Sequence, residues 1–270
     1  AKKHGAIIIT GCSVRGLETS GGGLSKVITE KGSINTSTVL CAAGAWSSYF
    51  CRSLGIKVPQ LKVKGTVART NPIETKINGS IFDKKVSIRK RLDGGYTVAH
   101  GSILDHPITP STLYFAPKYI QALIKEFNGL RLSIGKEFID ELTAPKTWDL
   151  DKESPFEKNR VLNPKPNKNV IAKISSEISS VYPELKDAKI IESWAGMVET
   201  TPDVVPVISP LQKIPGFYLA TGFSGHGFGI GPGAGKVISE MIQNKATIDM
   251  LPFRLDRVFD GSPIKVEATI

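Results

Sequence analysis

Apolar positions along the chain fall into short runs whose spacing changes from segment to segment. In GAIIITGC, residues 5–12, Ala6 to Ile9 are continuously apolar and read as a short buried strand. ETSGGGLS follows as a turn. KVITEKG and SINTSTVLCAAG then read as strands, the second ending in the apolar run Val39 to Ala43. AWSSYFCRSL reads as a helix closed by Gly55, a residue suited to the left-handed position after a helix. In PQLKVKGTV, Leu61, Val63 and Val67 alternate with polar neighbours, the period of a half-solvated strand. VSIRKRL and YTVAHG, joined by Asp93-Gly94-Gly95, form a hairpin pattern. Tyr119, Ile120, Leu123, Ile124 and Phe127 recur at helical spacing between Pro117 and Gly129. Residues 145–169, rich in Pro, Lys and Asn, read as a long surface loop, and VIAKISSEISSVY reads as a further helix. KIIESWAG and GFYLATG are strand-like. The last segment carries Ala234, Val237, Ile238, Met241 and Ile242, an i, i+3, i+4, i+7, i+8 stripe that must pack on a core.

Composition narrows the picture only in part. Its 270 residues suffice for a sizeable core in one domain or two, and no apolar run reaches the length of a membrane span. Cys12, Cys41 and Cys51 form no CxxC pair and read as reduced packing residues of a cytoplasmic protein. The net charge of +10 is spread along the chain without zinc spacing or aromatic–basic interleaving, so no nucleic-acid partner is expected. An anionic small molecule or a weak contact with the inner face of a membrane accounts for that charge equally well.

Chemistry concentrates in ATGFSGHGFGIGPGAGKVISEMI, residues 220–242, where seven glycines lie between Gly222 and Gly235. A glycine-rich strand-to-helix turn presents backbone N–H groups and the positive end of a helix dipole to negative charge. The helix is expected to begin near Gly233. A G-x-G-x-x-A match at Gly229, Gly231 and Ala234, with Asp249 twenty residues on, is rejected as a dinucleotide fingerprint: Pro232 sits inside it and no second parallel strand follows.

This stretch resembles the C-terminal flavin-contacting segment of the D-amino-acid-oxidase-like FAD-dependent oxidoreductases, among them glycine and sarcosine oxidases and D-amino-acid dehydrogenases. STVLCAAGAWS, 37–47, resembles the family's strand and turn past the FAD pyrophosphate, and SWAGMVETTPDVVPVIS, 193–209, resembles its WAG…TPD…P.I segment. The resemblance implies an α/β (α+β) fold: part of an FAD-binding Rossmann-like layer plus an antiparallel-sheet substrate domain. Residues 1–58 and 191–250 are assigned to an FAD-binding domain whose N-terminal βαβ is absent. Residues 59–190 are assigned to the substrate domain and 251–270 to a C-terminal tail. The family's opening G-x-G-x-x-G turn has no counterpart here, so the chain is similar to the C-terminal portion of such an enzyme. A separate segment or subunit is then the expected source of the βαβ, and the chain by itself is expected not to hold FAD.

By the same resemblance FAD would be contacted by Val14, Ala43, Gly44, Ala45, Trp46, Gly196, Gly222, Ser224, Gly225, His226, Gly227, Gly229 and Ile230. His226 is a candidate acid–base residue, or it matters only through its backbone. Where close relatives of glycine oxidase read WAGLRP with a carboxylate-binding arginine, this chain has Val198-Glu199. Arg89 and Arg91, on one face of the hairpin strand, are alternative carboxylate partners or solvated surface arginines. Tyr96, Trp194 and Glu199 complete the substrate-side candidates. Trp46 and Trp194 are read equally well as core residues, and Glu199 as a partner for an amine or an exposed side chain. The expected reaction is oxidation of the C–N bond of an amine or D-amino acid to an imine, by hydride transfer to flavin. Little activity is expected on glycine, because Val198 lacks the arginine's charge. A noncatalytic subunit of a heteromeric flavoenzyme is the alternative.

Overall fold

The computed structural model describes residues 1–266. It divides into two compact units, one comprising Ala1–Pro59, Ala144–Val161 and Val205–Ser262, the other Gln60–Thr143, Leu162–Val204 and residues 263–266. This differs from the domain bounds expected from the sequence at three places. Residues 191–204 fall in the second unit, because their strand pairs along its whole length with Leu61–Thr70. Residues 144–161, expected as a loop, fall in the first. Of the expected 251–270 tail, residues 251–262 belong to the first unit and 263–266 to the second, while 267–270 lie outside the described residues.

In chain order the first unit opens with strands β1 (Val14–Ser20), β2 (Gly23–Thr29) and β3 (Gly32–Asn35), an antiparallel meander. Strand β4 (Val39–Cys41) and helix α1 (Ser47–Ser53) follow. Gly55 closes α1 with φ 68°, as expected. The expected strand at 5–12 does not form. Residues 6–10 carry no strand or helix, and Ile7 is 87% exposed. An apolar run becomes a strand only when a neighbouring strand accepts its backbone groups, and none does among the described residues.

The second unit contributes β5 (Leu61–Thr70), β6 (Ser80–Ile81), β7 (Ser87–Lys90), β8 (Tyr96–Ala99), β9 (Leu104–Pro107), α2 (Pro110–Glu126), β10 (Leu130–Ser133) and α3 (Lys136–Thr143). The chain then passes through α4 (Pro155–Lys158) of the first unit, returns for α5 (Lys168–Val181) and β11 (Ile190–Thr200), and ends with β12 (Val207–Pro210), β13 (Phe217–Thr221) and α6 (Gly227–Ile242) of the first unit.

In the second unit β10, β9, β5, β8, β7 and β6 form one sheet, with β11 on the free side of β5. Helix α5 covers one face: Val170, Ile174 and Ile178 pack on Ala68, Val86, Ile88, Tyr96 and Val98. Each such fully buried aliphatic side chain contributes about 1.5–3 kcal/mol relative to an exposed one. Helix α2 begins at Pro110, not near Pro117, because the Thr109 and Thr112 side chains form a reciprocal cap. It buries Phe115, Tyr119 and Ala122 against Leu61 and leaves Ile120, Leu123, Ile124 and Phe127 of the expected stripe exposed. Tyr119 fixes the helix: its hydroxyl accepts from the Leu61 N–H at 3.1 Å and donates to the Thr200 carbonyl at 2.6 Å.

In the first unit β12, β13 and β4 form a small sheet in which β13 and β4 are parallel. Alternation along β13 places Phe217 and Leu219 against Leu24, Phe50 and Cys51, while Ala220 meets Ala234 and Ile238 of α6. The sheet is therefore packed on both faces, which explains the nearly continuous apolar run at 217–220.

Candidate functional site

The parallel pairing of β4 and β13 decides where chemistry can sit in the first unit. Leu219 lies opposite Cys41, so both strands release their chains at the same carboxyl edge. A glycine in the left-handed region follows each, Gly44 with φ 54° three residues after the end of β4 and Gly222 with φ 75° directly after β13. The Thr221 hydroxyl donates to the Gly44 carbonyl at 3.3 Å and ties the two turns together. In open α/β sheets, ligands bind at such carboxyl edges, where successive loops diverge.

Helix α6 leaves this edge with its N-terminus at Gly227, six residues earlier than the sequence predicts. The reason is that Gly227, Gly229, Gly231, Gly233 and Gly235 take helical conformation; positive φ is confined to Gly222, Ser224 and Gly225. The buried Ser224 donates from its hydroxyl to the Gly222 carbonyl at 3.1 Å, which holds the turn. A Cβ built at Gly229, Gly233 or Gly235 would meet no atom within 4 Å. Five glycines in one helix each cost about 1 kcal/mol against Ala, and at these three nothing within the described chain requires them. His226 is the residue before the helix, exposed and without a capping bond. Ile230 is partly exposed on the first turn.

Beside the same edge lies a cavity of about 600 Å³. Of the residues expected to contact FAD, Val14, Ala43 and Trp46 line it; Gly44 and Ala45 continue its wall into the turn but do not line it. Cys12, Leu40, Cys41, Phe156 and Arg160 line it as well and were not anticipated. Phe156 and Arg160 come from the segment read as a loop, where the aromatic pair Trp148 and Phe156 was the overlooked signal. Phe156 meets Trp46 edge-on at 5.8 Å, and the Trp148 indole donates to the Arg15 carbonyl. Arg160 grips the Glu30 carboxylate with two bonds of 2.7 and 2.6 Å, which hold that carboxyl down at about 2. Arg15 does the same to Glu157, also to about 2.

In the second unit, strand register sorts the substrate-side candidates. Cross-strand partners share a face. Trp194 lies opposite Val67, Gly196 opposite Gly65 and Val198 opposite Val63. These side chains occupy the face away from α5, together with Arg69 and Thr97. The opposed glycines leave a bare patch there: a Cβ at either would meet nothing within 4 Å. Arg89 also belongs to this face, opposite Thr97. Arg91 follows the end of β7 and is turned onto its own hairpin, donating to Asp93 and to the Thr97 hydroxyl. Arg69, missed in the sequence, bonds Glu192 at 2.6 Å and Asp93 at 3.3 Å.

Two candidates are corrected. Tyr96 is fully buried on the α5 side, its hydroxyl donating to the Ile77 carbonyl and bonded to Thr75, so it is a core residue. Glu199 lies opposite Lys62, on the face of β11 opposite to Trp194 and Gly196, so it cannot act beside them.

Comparisons with known proteins agree with this geometry. The family described as DAO, FAD dependent oxidoreductase, matches residues 1–241. L-Amino acid deaminase from Proteus myxofaciens, solved in complex with anthranilate, superposes with a TM-score of 0.85 at 33% identity, over 91% of this chain and 55% of that one. The L-amino acid deaminase from Proteus vulgaris gives 0.88 at 29%, over 95% and 60%. Glycine oxidase from Pseudomonas aeruginosa is 22% identical over 89% of this chain and 51% of its own length. The chain thus spans about half the length of these relatives. A mixed α/β fold with several sheets, a glycine turn at a parallel carboxyl edge and a family match over most of the sequence lead to one conclusion: this chain belongs to the DAO family of FAD-dependent oxidoreductases.

Proposed function

We propose that this chain forms the flavin-ring and substrate side of an enzyme that oxidises the C–N bond of an α-amino acid to an imine. The observation that carries the proposal is the shared carboxyl edge of β4 and β13, where two left-handed glycine turns meet the N-terminus of α6. The residues there fit FAD. Exposed glycines admit a flat ring against the helix, the α6 dipole favours negative charge, and the adjoining cavity is aromatic and apolar with a guanidinium on its wall. FAD, when bound, supplies the hydride acceptor. The chain's own part is orientation and electrostatics: first-turn N–H groups of α6 stabilise charge that develops in the transition state. The bare Gly65–Gly196 patch and Trp194 offer a flat apolar floor to the substrate side chain.

Because Val198 on that floor is apolar, the substrate carboxylate is assigned to a cation of the same face, Arg69 or Arg89. Amino acids with large apolar side chains are therefore favoured over glycine. The likeness to two L-amino acid deaminases favours the L over the D configuration in this reading. A separate segment carrying a G-x-G-x-x-G turn is part of the proposal. It is supported by exposed Ile7, Ile8, Ile9 and Leu40 in the first unit, where β4 is the outer strand of its sheet among the described residues. Among the described residues no helix is long and apolar enough to cross a membrane. A peripheral membrane contact is supported by the exposed Leu113, Ile120 and Ile124 of α2 and Phe127 just after it.

The test is an anaerobic absorbance titration of the chain with FAD, alone and with a G-x-G-x-x-G segment. Bleaching by L-phenylalanine or L-leucine, weak with glycine, is expected. Bound flavin that no amine bleaches would instead support the noncatalytic subunit.

A further inference from the structure

Cys41 and Cys51 pack in the same buried cluster, where the Cys51 thiol is directed to the sulfur of Cys41. They differ in access. Cys41 forms part of the cavity wall, whereas Cys51 is wholly buried behind it on α1. Cys41 has further polar neighbours, the Ala43 N–H and the Ser47 hydroxyl, the latter 3.8 Å from its sulfur. We propose that Cys41 is a peroxide-reactive thiol resolved by Cys51, so that small hydroperoxides entering the cavity convert the pair to a disulfide between β4 and α1.

The geometry orders the two steps. Cys41 meets the oxidant first because it lines the cavity, whereas Cys51 does not and is fully buried. Donation by the Cys51 thiol outweighs burial and lowers the Cys41 thiol, which favours its thiolate over that of Cys51. The Cys41 thiolate attacks one peroxide oxygen, the O–O bond breaks, and hydroxide leaves, giving a sulfenic acid at Cys41. The same contact pushes the Cys51 thiol up, so it stays protonated until Cys41 has reacted. Its proton then passes to the departing hydroxyl, its sulfur bonds that of Cys41, and water is released. In sum two thiols lose two electrons and two protons, and one hydrogen peroxide becomes two waters. Cys12 lines the same cavity with more exposure and no thiol partner among the described residues, so it is an internal control for access alone. The inference does not depend on the flavin reading.

The test exposes the full chain, reduced and folded, to hydrogen peroxide with and without FAD, and maps the cysteines by peptide mass. The expected result is a Cys41–Cys51 disulfide, reversible by dithiothreitol, formed at least roughly tenfold faster than any oxidation of Cys12. In Cys51→Ser, a sulfenic acid should persist at Cys41 and be trapped by dimedone. Oxidation of Cys12 ahead of an unchanged Cys41–Cys51 pair, or a disulfide that includes Cys12, would overturn the proposal in the wild-type chain, whatever the folding of the variant.

Discussion

The carboxyl edge of β4 and β13 and the open face of β5 and β11 are built on opposite principles. At the first, backbone does the work: glycine turns, a helix terminus and one hydroxyl–carbonyl bond define the surface. At the second, side chains projecting from paired strands define it, and glycine matters only by leaving room at Gly65 and Gly196. A backbone site tolerates side-chain change but not added bulk. A side-chain site tolerates backbone-neutral change but depends on which residues share a face. The two therefore fail under different mutations.

The largest expected effect separates the two faces of the second unit's sheet. Trp194→Ala, on the open face, should lower kcat/KM for large amino acids roughly 100-fold, about 2.7 kcal/mol of transition-state stabilisation, with little change in the melting curve. Tyr96→Phe, on the covered face, should do the reverse. Losing the hydroxyl that satisfies the Ile77 carbonyl costs about 1–3 kcal/mol of stability, read by urea unfolding, while kcat/KM stays within about twofold. If both variants behaved alike, the assignment of faces would be wrong.

Smaller effects sharpen the backbone side. Gly235→Ala should raise stability by about 0.5–1 kcal/mol, since helical conformation is kept and the added Cβ meets no atom. A drop in melting temperature would show that the glycine is needed by the fold itself. The smallest effect concerns acid. Glu30 and Glu157 titrate at about 2 when folded, below their ordinary values, so their pairs with Arg160 and Arg15 stabilise the fold above pH 4.5. That contribution is lost as pH falls from 4.5 towards 2. Glu30→Gln should therefore lower stability at neutral pH and flatten acid unfolding in that window, so that variant and wild type converge towards pH 2, followed by circular dichroism.

What the sequence made legible follows the same division. The glycine stretch, the hairpin at Asp93–Gly95, the helices at 47–53 and 168–181 and the amphipathic end of α6 announce themselves locally, through φ requirements and 3.6-residue spacing. The open face was not legible, because register is a non-local property. Nothing in SWAGMVET says that Trp194 and Glu199 point to opposite sides until β11 is paired with β5. Tyr96 likewise reads as a reachable phenol until α5 is laid over it. The strand expected at 5–12 failed for the complementary reason: its composition was right, but a strand also needs a partner.

The account's central claim is that the exposed glycines of α6 exist for a ligand outside the chain. Gly229→Val tests it most directly, because the branched side chain points into open space within the protein and into the proposed flavin surface. Flavin binding, followed by absorbance and fluorescence with the G-x-G-x-x-G segment present, should fall at least about tenfold, or 1.4 kcal/mol, while the circular dichroism spectrum is unchanged. Flavin held by the variant as tightly as by the wild-type chain would contradict the claim.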